Sequence, residues 1–223
     1  MKKIILAGNS ITAEILYGYI SVDPRYQIVG TVVDDDYVTS TKTHAVRCVG
    51  ISEVQSVYSP TEVTVVMAMG YNNLNRTREA FFTKLMHLNY VIEPYIHPDA
   101  CVYSQYPVGN GSVVLPRAVV EPYARIGINT MIWCNTTIAH HSDVGDNCWI
   151  ASGTVIAGQA KVGRNTFVGV NATIVNEVTV ADLNMIGAGA LITKHTKPNS
   201  VHLARSAEQW RFSAEEYTKH FGV

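Results

Sequence analysis

The sequence has little net charge and no basic runs: 17 Lys and Arg stand against 18 Asp and Glu, for −1 over 223 residues. That argues against a nucleic acid or an anionic membrane surface as partner. Long apolar runs are missing too. Nothing approaches the roughly 18 residues of a membrane span. The stretch Ile4 to Ala7 behind Met1-Lys2-Lys3 is shorter than a secretory signal core, so a soluble, cytoplasmic protein without membrane insertion is expected. Paired cysteines are absent: Cys48, Cys101, Cys134 and Cys148 lie far apart, which favours free thiols over disulfides or a zinc site. The dinucleotide fingerprint is lacking as well. After Gly8, G-x-G-x-x-G needs glycine at positions that hold Ser10 and Ala13, which weakens NAD as a ligand.

What is present in strength is a period of six. From Ile96 to Ile186 a Val or Ile returns at every sixth position, sixteen times without an insertion. Four residues after each stands a mostly small side chain, such as Ala118, Ala124, Thr130, Ser142 or Ala172, with Tyr106, Val178 and Asn184 less typical. A six-residue period fits neither a helix nor a hairpin sheet, and a β-sandwich would show uneven turn spacing. It fits a parallel β-helix, in which the β-branched first residue of each hexad points into a narrow core and the small fifth residue fits beside it. Three hexads then form one triangular coil. Gly109, Gly127, Gly145 and Gly163, with Ala181 continuing the series, recur once per coil and mark one crowded corner.

Ahead of the repeats, Lys3 to Ala7 reads as a strand that turns at Gly8-Asn9-Ser10 into a helix carrying Ile11, Ile15, Leu16, Tyr19 and Ile20. Gln27 to Val33 gives a second strand ending at Asp34-Asp35-Asp36, and Val63 to Met69 a third ending at Gly70-Tyr71-Asn72-Asn73. A helix from about Asn75 to Leu88 turns Phe81, Phe82, Leu85 and Leu88 inward. The alternation predicts an α/β, Rossmann-like domain over residues 1–94, with its polar loops at the carboxyl edge of a parallel sheet, where such sheets bind ligands. The N-terminus of the first helix with Ser10 suits a phosphate, Asp34 or Asp35 a ribose or base, and Arg76 a diphosphate. The alternative is that Gly8 only makes the turn and the Asp run only solvates a loop. The β-helix is placed at residues 95–197. A tail at 198–223 includes an expected helix from Ala207 to Phe221 covering the open end of the coils.

Proton-transfer chemistry concentrates at His140-His141, in the hexad Ile138-Ala139-His140-His141-Ser142-Asp143. The positions one coil away are Pro122 and Gly158, and the glycine is expected to leave open space beside the imidazole. An imidazole suits a general base that deprotonates an amine or hydroxyl attacking an acyl carbonyl. A metal is the rival role, but neither neighbouring position is a ligand and His97 and His195 are distant, so no metal is expected.

At these residues the chain resembles the hexapeptide-repeat acyltransferases. In its two-part layout it resembles the sugar acetyltransferases of the PglD/NeuD type. The resemblance rests on Gly8-Asn9-Ser10, Asp34-Asp35, Ala68 to Asn73, Ile138 to Gly145 and Ile186 to Ala190. It implies a left-handed β-helix, an exception to the usual crossover hand, and a homotrimer with active sites between neighbouring β-helices. It places the catalytic base on His140 and its activating partner on His141, where the family has an acidic residue. It places acetyl-CoA contacts on Trp149, Val170 and Ala188, with Gly158 near the thioester. Contacts to the nucleotide-activated amino sugar fall on Gly8, Ser10, Ile11, Thr12, Asp34, Asp35 and Gly70, although Ile11 and Thr12 depart from the more usual Gly-His.

The expected activity is acetyl-CoA-dependent N-acetylation of a nucleotide-linked amino-dideoxy sugar for surface glycan synthesis. Sugar O-acetylation and a non-catalytic nucleotide-sugar scaffold are the alternatives. An outer surface bearing Trp133, Trp149 and Phe167 is too apolar to face water and points independently to the trimer.

Overall fold

A computed structural model describes residues 1–38 and 46–222. The amino-terminal lobe follows the expected alternation: β1 (Lys2–Ala7), α1 (Ile11–Ile20), β2 (Tyr26–Val33), β3 (Arg47–Gly50), α2 (Val54–Val57), β4 (Thr64–Met67) and α3 (Arg76–His87). The four strands are parallel in the order β3-β2-β1-β4. The order reverses at β1, so the loops after β1 and β4 diverge and open a crevice between them. The sequence pattern misses β3 and α2, whose few residues carry no resolvable period.

Two helix faces differ from expectation. Along α1 the buried residues are Thr12, Ala13, Leu16 and Ile20, and Ile11 is 72% exposed. Along α3, Phe81, Phe82 and Leu85 are buried as expected, Leu88 is half-buried, and Arg78 joins the buried face.

From β5 (Tyr95–Ile96) to β20 (Leu191–Ile192) run sixteen two-residue strands in three parallel sheets of a left-handed β-helix. Each strand joins the last residue of one hexad to the first of the next. The first and fifth residues interdigitate in one continuous core that Ile192 extends by a further layer. The glycine corner is as crowded as expected: a Cβ on Gly127 would lie 2.7 Å from the Asp146 nitrogen. The fourth residue of each hexad from Gly111 to Gly189 has a left-handed backbone, with φ of +52° at Asn129, +58° at His141 and +72° at Gly153. Asparagine and glycine recur there because they adopt that conformation at least cost.

The seven-stranded sheet carries Tyr95, Val113, Met131, Trp149 and Phe167 on its outer face. Ile4, Leu6, Ala13, Leu16 and Ile20 of the amino-terminal lobe pack against this stripe. Trp149 is thereby only 6% exposed, and Trp133 and Phe167 are half-buried. The apolar surface expected to seek another subunit is therefore covered by the chain's own first lobe, and it no longer argues for a trimer.

Arg78 anchors this docking. It is fully buried, and its guanidinium donates to the carbonyls of Gly70 (3.0 Å), Asn129 (3.1 and 3.3 Å) and Cys148 (3.0 Å) and to Asn75 Oδ1 (2.9 Å). Burial lowers its pKa to about 10, which leaves it charged at neutral pH. The same burial pushes the neighbouring Cys148 thiol up to about 12, so it remains protonated.

The tail is a second correction. The terminal helix α4 spans only Ala214–Phe221 behind a Ser213–Glu216 capping box, and none of its residues is buried. Trp210 is 61% exposed. The last coil is instead extended by β21 (Val201–His202), which pairs with Met185–Ile186, so the helix does not cover the core. Among the described residues no helix is long and apolar enough to cross a membrane.

Asp23 ties the lobes at their seam. Its buried carboxylate accepts from Arg25 Nη2 at 2.6 Å and Nε at 3.0 Å, while Arg25 Nη2 also donates to the Ile96 carbonyl at 2.7 Å. The Arg25 guanidinium holds the Asp23 carboxyl below the usual carboxylate range. A depressed folded-state pKa stabilises above the unfolded value, near pH 3.9, and that stability is lost as pH falls through the folded value. Denaturant unfolding at neutral and acid pH should show Asp23→Asn less stable by about 1–2 kcal/mol at pH 7 and its difference from the parent shrinking as pH falls below the unfolded value and through the folded one. An unchanged difference across that range would remove Asp23 from the acid response.

Candidate active site

The crevice at the carboxyl ends of β1 and β4 is a cleft of about 170 Å³. Gly8 builds its floor: with φ of +133°, and with a Cβ there falling 2.6 Å from the Ala68 carbonyl oxygen, no other residue fits the turn. Of the residues expected to bind a nucleotide sugar, Gly8, Ser10, Asp34 and Gly70 line the cleft, joined by Tyr37 and Asn72. The Asp34 carboxylate accepts from Lys84 Nζ, and Asn9 Nδ2 donates to the Tyr37 carbonyl at 2.8 Å, which fixes the rim.

The remaining expected contacts do not line it. Ile11 points to solvent, and Thr12 is buried beside Gly70. Asp35 turns away and accepts from the backbone nitrogen (3.1 Å) and hydroxyl (2.9 Å) of Ser52. Arg76, expected near a diphosphate, faces a different cavity with Glu79, Arg164 and Asp182.

His140 lies exposed at a corner of the β-helix. Its backbone nitrogen donates to Glu121 Oε2 at 2.8 Å, one coil below. Its Nδ1 is 3.2 Å from Nδ1 of His141. The expected open space over Gly158 is filled by the imidazole itself: a Cβ on Gly158 would meet His140 Cε1 and Nε2 at 2.7 Å. The glycine is therefore a seat for the ring. Neither carboxylate next in sequence serves it, because Asp146 accepts from the Ile128 nitrogen at 2.8 Å and Asp143 sits between Arg125 and Lys161 on the adjacent coils.

The residues expected to hold acetyl-CoA do not converge on His140 within one chain. Val170 and Ala188 are stacked one coil apart, with Gly189 N donating to the Val170 carbonyl at 2.8 Å, but they occupy the corner that follows the seven-stranded sheet. His140 and Gly158 occupy the corner that follows the six-stranded one. Trp149 lies on the docked face, with Tyr71 at 4.9 Å and Trp133 at 5.0 Å between ring centroids.

Residues 123–158 match the family model described as bacterial transferase hexapeptide, six repeats. No curated protein sequence matches the chain. Among solved structures, the acetyltransferase domain of PglB from Neisseria gonorrhoeae has a TM-score of 0.81 at 22% identity, covering 92% of this chain and 97% of that one. A variant of perosamine N-acetyltransferase from Caulobacter crescentus, in complex with CoA and GDP-perosamine, has a TM-score of 0.80 at 20% identity, covering 92% and 94%. WeeI from Acinetobacter baumannii follows at 0.64 and 16% identity, covering 90% and 96%. The likeness spans both lobes and establishes a shared fold.

Sequence reasoning missed Lys84, Glu121 and Tyr123. The last two carry a readable signal, since both stand one coil before the His140 segment.

Because Gly158 only seats an exposed ring, Gly158→Ala should shift the imidazole resonances of His140 in NMR spectra while changing unfolding stability by less than about 1 kcal/mol. Unperturbed resonances would show that the ring does not rest on Gly158.

Proposed function

We propose that this protein is an acetyl-CoA-dependent N-acetyltransferase acting on a nucleotide-linked amino-dideoxy sugar, most specifically a 4-amino-4,6-dideoxyhexose. The observation that carries the reading is the full-length likeness, across cleft lobe and β-helix together, to the PglB acetyltransferase domain, also solved with acetyl-CoA, and to the perosamine enzyme. The cleft at Gly8, Ser10, Asp34 and Gly70 supplies backbone donors at a helix N-terminus for phosphate, and Asp34 an acceptor for ribose or base. His140 supplies the base. In this reading its Nε2 takes a proton from the amine as the nitrogen attacks the thioester carbonyl, with backbone N–H groups stabilising the oxyanion.

Homotrimer assembly belongs to the same proposal. His140 and Gly158 on one corner and Val170 and Ala188 on another form one acetyl-CoA site when a neighbouring β-helix brings its second corner against the first. The outer face of the six-stranded sheet, with Val119, Thr137, Val155, Thr173 and Leu191, carries no charge and suits that contact. Trp149, enclosed by its own lobe, serves packing in this scheme. A cytoplasmic location and a role in lipopolysaccharide or O-antigen biosynthesis complete the reading.

Incubation with acetyl-CoA and a panel of UDP-, dTDP- and GDP-linked sugars, with thiol release as readout, tests it. Release with 4-amino sugars is expected; release only with sugars lacking an amine would indicate O-acetylation, and nucleotide-sugar binding without any release a scaffold. His140→Ala should lower kcat by about 10²- to 10⁴-fold with KM for acetyl-CoA nearly unchanged. A variant with the parent's rate would rule out the general base. Asp34→Ala should raise KM for the sugar nucleotide far more than KM for acetyl-CoA; equal effects would contradict two separate sites.

A further inference from the structure

One coil below His141 stands Tyr123, and the two rings are stacked with centroids 4.6 Å apart and planes 23° from parallel. Both are fourth residues of their hexads, with φ of +67° and +58°, so the same left-handed turn projects both side chains from one corner. The backbone beneath them is fixed as well: Tyr123 N donates to Gln105 Oε1 at 3.2 Å, and His141 N to the Pro122 carbonyl at 3.3 Å. His141 in turn meets His140 edge to face, at 83° between planes, with the two Nδ1 atoms 3.2 Å apart.

Two Nδ1 atoms at this distance form a hydrogen bond only if one carries the proton and the other presents its lone pair. The two assignments differ in consequence. With the proton on Nδ1 of His140, its Nε2 has the free lone pair a base needs, and His141 is neutral with its own proton on Nε2. With the proton on Nδ1 of His141, neutral His140 carries its proton on Nε2 and cannot accept another there. The charged groups on the surrounding elements are Glu121 on the coil below, bound to the His140 backbone, Asp143 next along the chain and Glu177 on the coil above Gly158.

We propose that His141 sets the tautomer of His140 by accepting its Nδ1 proton, and that Tyr123 is the positioning residue that holds His141 in the accepting orientation. This rests on the reading of His140 as the base. In the transfer, the amine proton moves to Nε2 of His140, the nitrogen–carbon bond forms and the carbon–sulfur bond breaks. The departing thiolate then takes the proton from Nε2. The Nδ1 proton stays on His140 throughout, donated to His141, so the neutral imidazole supplies orientation where a carboxylate would add charge. Removing the Tyr123 ring frees His141 to rotate, and His140 then samples the tautomer that cannot act.

The test combines ¹⁵N-imidazole NMR with kinetics on the parent, Tyr123→Leu and Tyr123→Phe. Leucine suits this turn, because Leu183 adopts φ of +60° at the equivalent position. The parent should show the proton on Nδ1 of His140 and on Nε2 of His141. Tyr123→Leu should show mixed tautomers at His140 and a kcat lower by about 10-fold with KM for acetyl-CoA unchanged, and Tyr123→Phe should restore both. A single Nδ1–H tautomer and the parent rate in Tyr123→Leu, or a parent with the proton on Nε2 of His140, would overturn the proposal. If no sugar nucleotide elicits thiol release, the acetyltransferase reading fails while the parent's tautomer still decides this one. Should Tyr123→Leu not fold, by circular dichroism, the tautomer of His140 in the parent spectrum decides between the two outcomes by itself.

Discussion

A charged guanidinium with no carboxylate in contact is one of the costlier groups a protein can bury, and the two lobes of this molecule meet around one. Arg78 is held by carbonyls of the cleft loop at Gly70 and of the β-helix at Asn129 and Cys148. Without it the buried Asn129 carbonyl would lose its donor, at about 1–3 kcal/mol, while the Cys148 carbonyl would keep the Met131 N–H at 2.9 Å. The loop between Gly70 and Arg78 is pinned further by Tyr71, whose ring lies 4.7 Å from Phe167 and 4.9 Å from Trp149, and by Asn75, which donates to the Thr166 carbonyl. The cleft and the His140 corner therefore share one rigid body.

That rigidity gives the proposed chemistry its geometry. A sugar nucleotide seated between Gly8 and Gly70 is held in a fixed relation to the β-helix, and the coil's three-sided cross-section assigns each hexad to one corner. His140 over Gly158 faces one direction and Val170 with Ala188 another. No movement within a chain can merge them, since every coil is locked to the next by parallel strand pairing. In the proposed function, assembly of copies is the route by which such a surface would gain a complete site.

The β-helix was legible from residues alone because its constraint is local and repeated: a β-branched residue every sixth position has one use in a narrow core, as Ile138, Val144 and Ile150 show. The Asn and Gly at fourth positions, such as Asn129, Asn147 and Gly153, carry an equally regular signal that the apolar period overshadowed. The first lobe was legible in outline from strand, turn and helix order, and four of its seven expected substrate contacts line the cleft. What sequence did not reveal depends on contacts between distant segments. Nothing local marks Arg78 as buried, nothing tells that Asp35 would be taken by Ser52, and Trp149 and Phe167 look like an oligomer surface until β1 and α1 are seen to cover them. The tail misled for the opposite reason: its aromatic spacing is helical from Ala207, yet the chain stays irregular to Ser213.

If Arg78 makes the lobes one cooperative unit, scanning calorimetry should show the parent unfolding in a single transition with equal calorimetric and van't Hoff enthalpies. Replacing the guanidinium by an apolar side chain of similar length, Arg78→Met, removes its hydrogen bonds to the carbonyls of Gly70, Asn129 and Cys148. The variant should then unfold in two separated transitions, the amino-terminal lobe melting first. A variant that still melts in one transition at the parent's temperature would contradict the account.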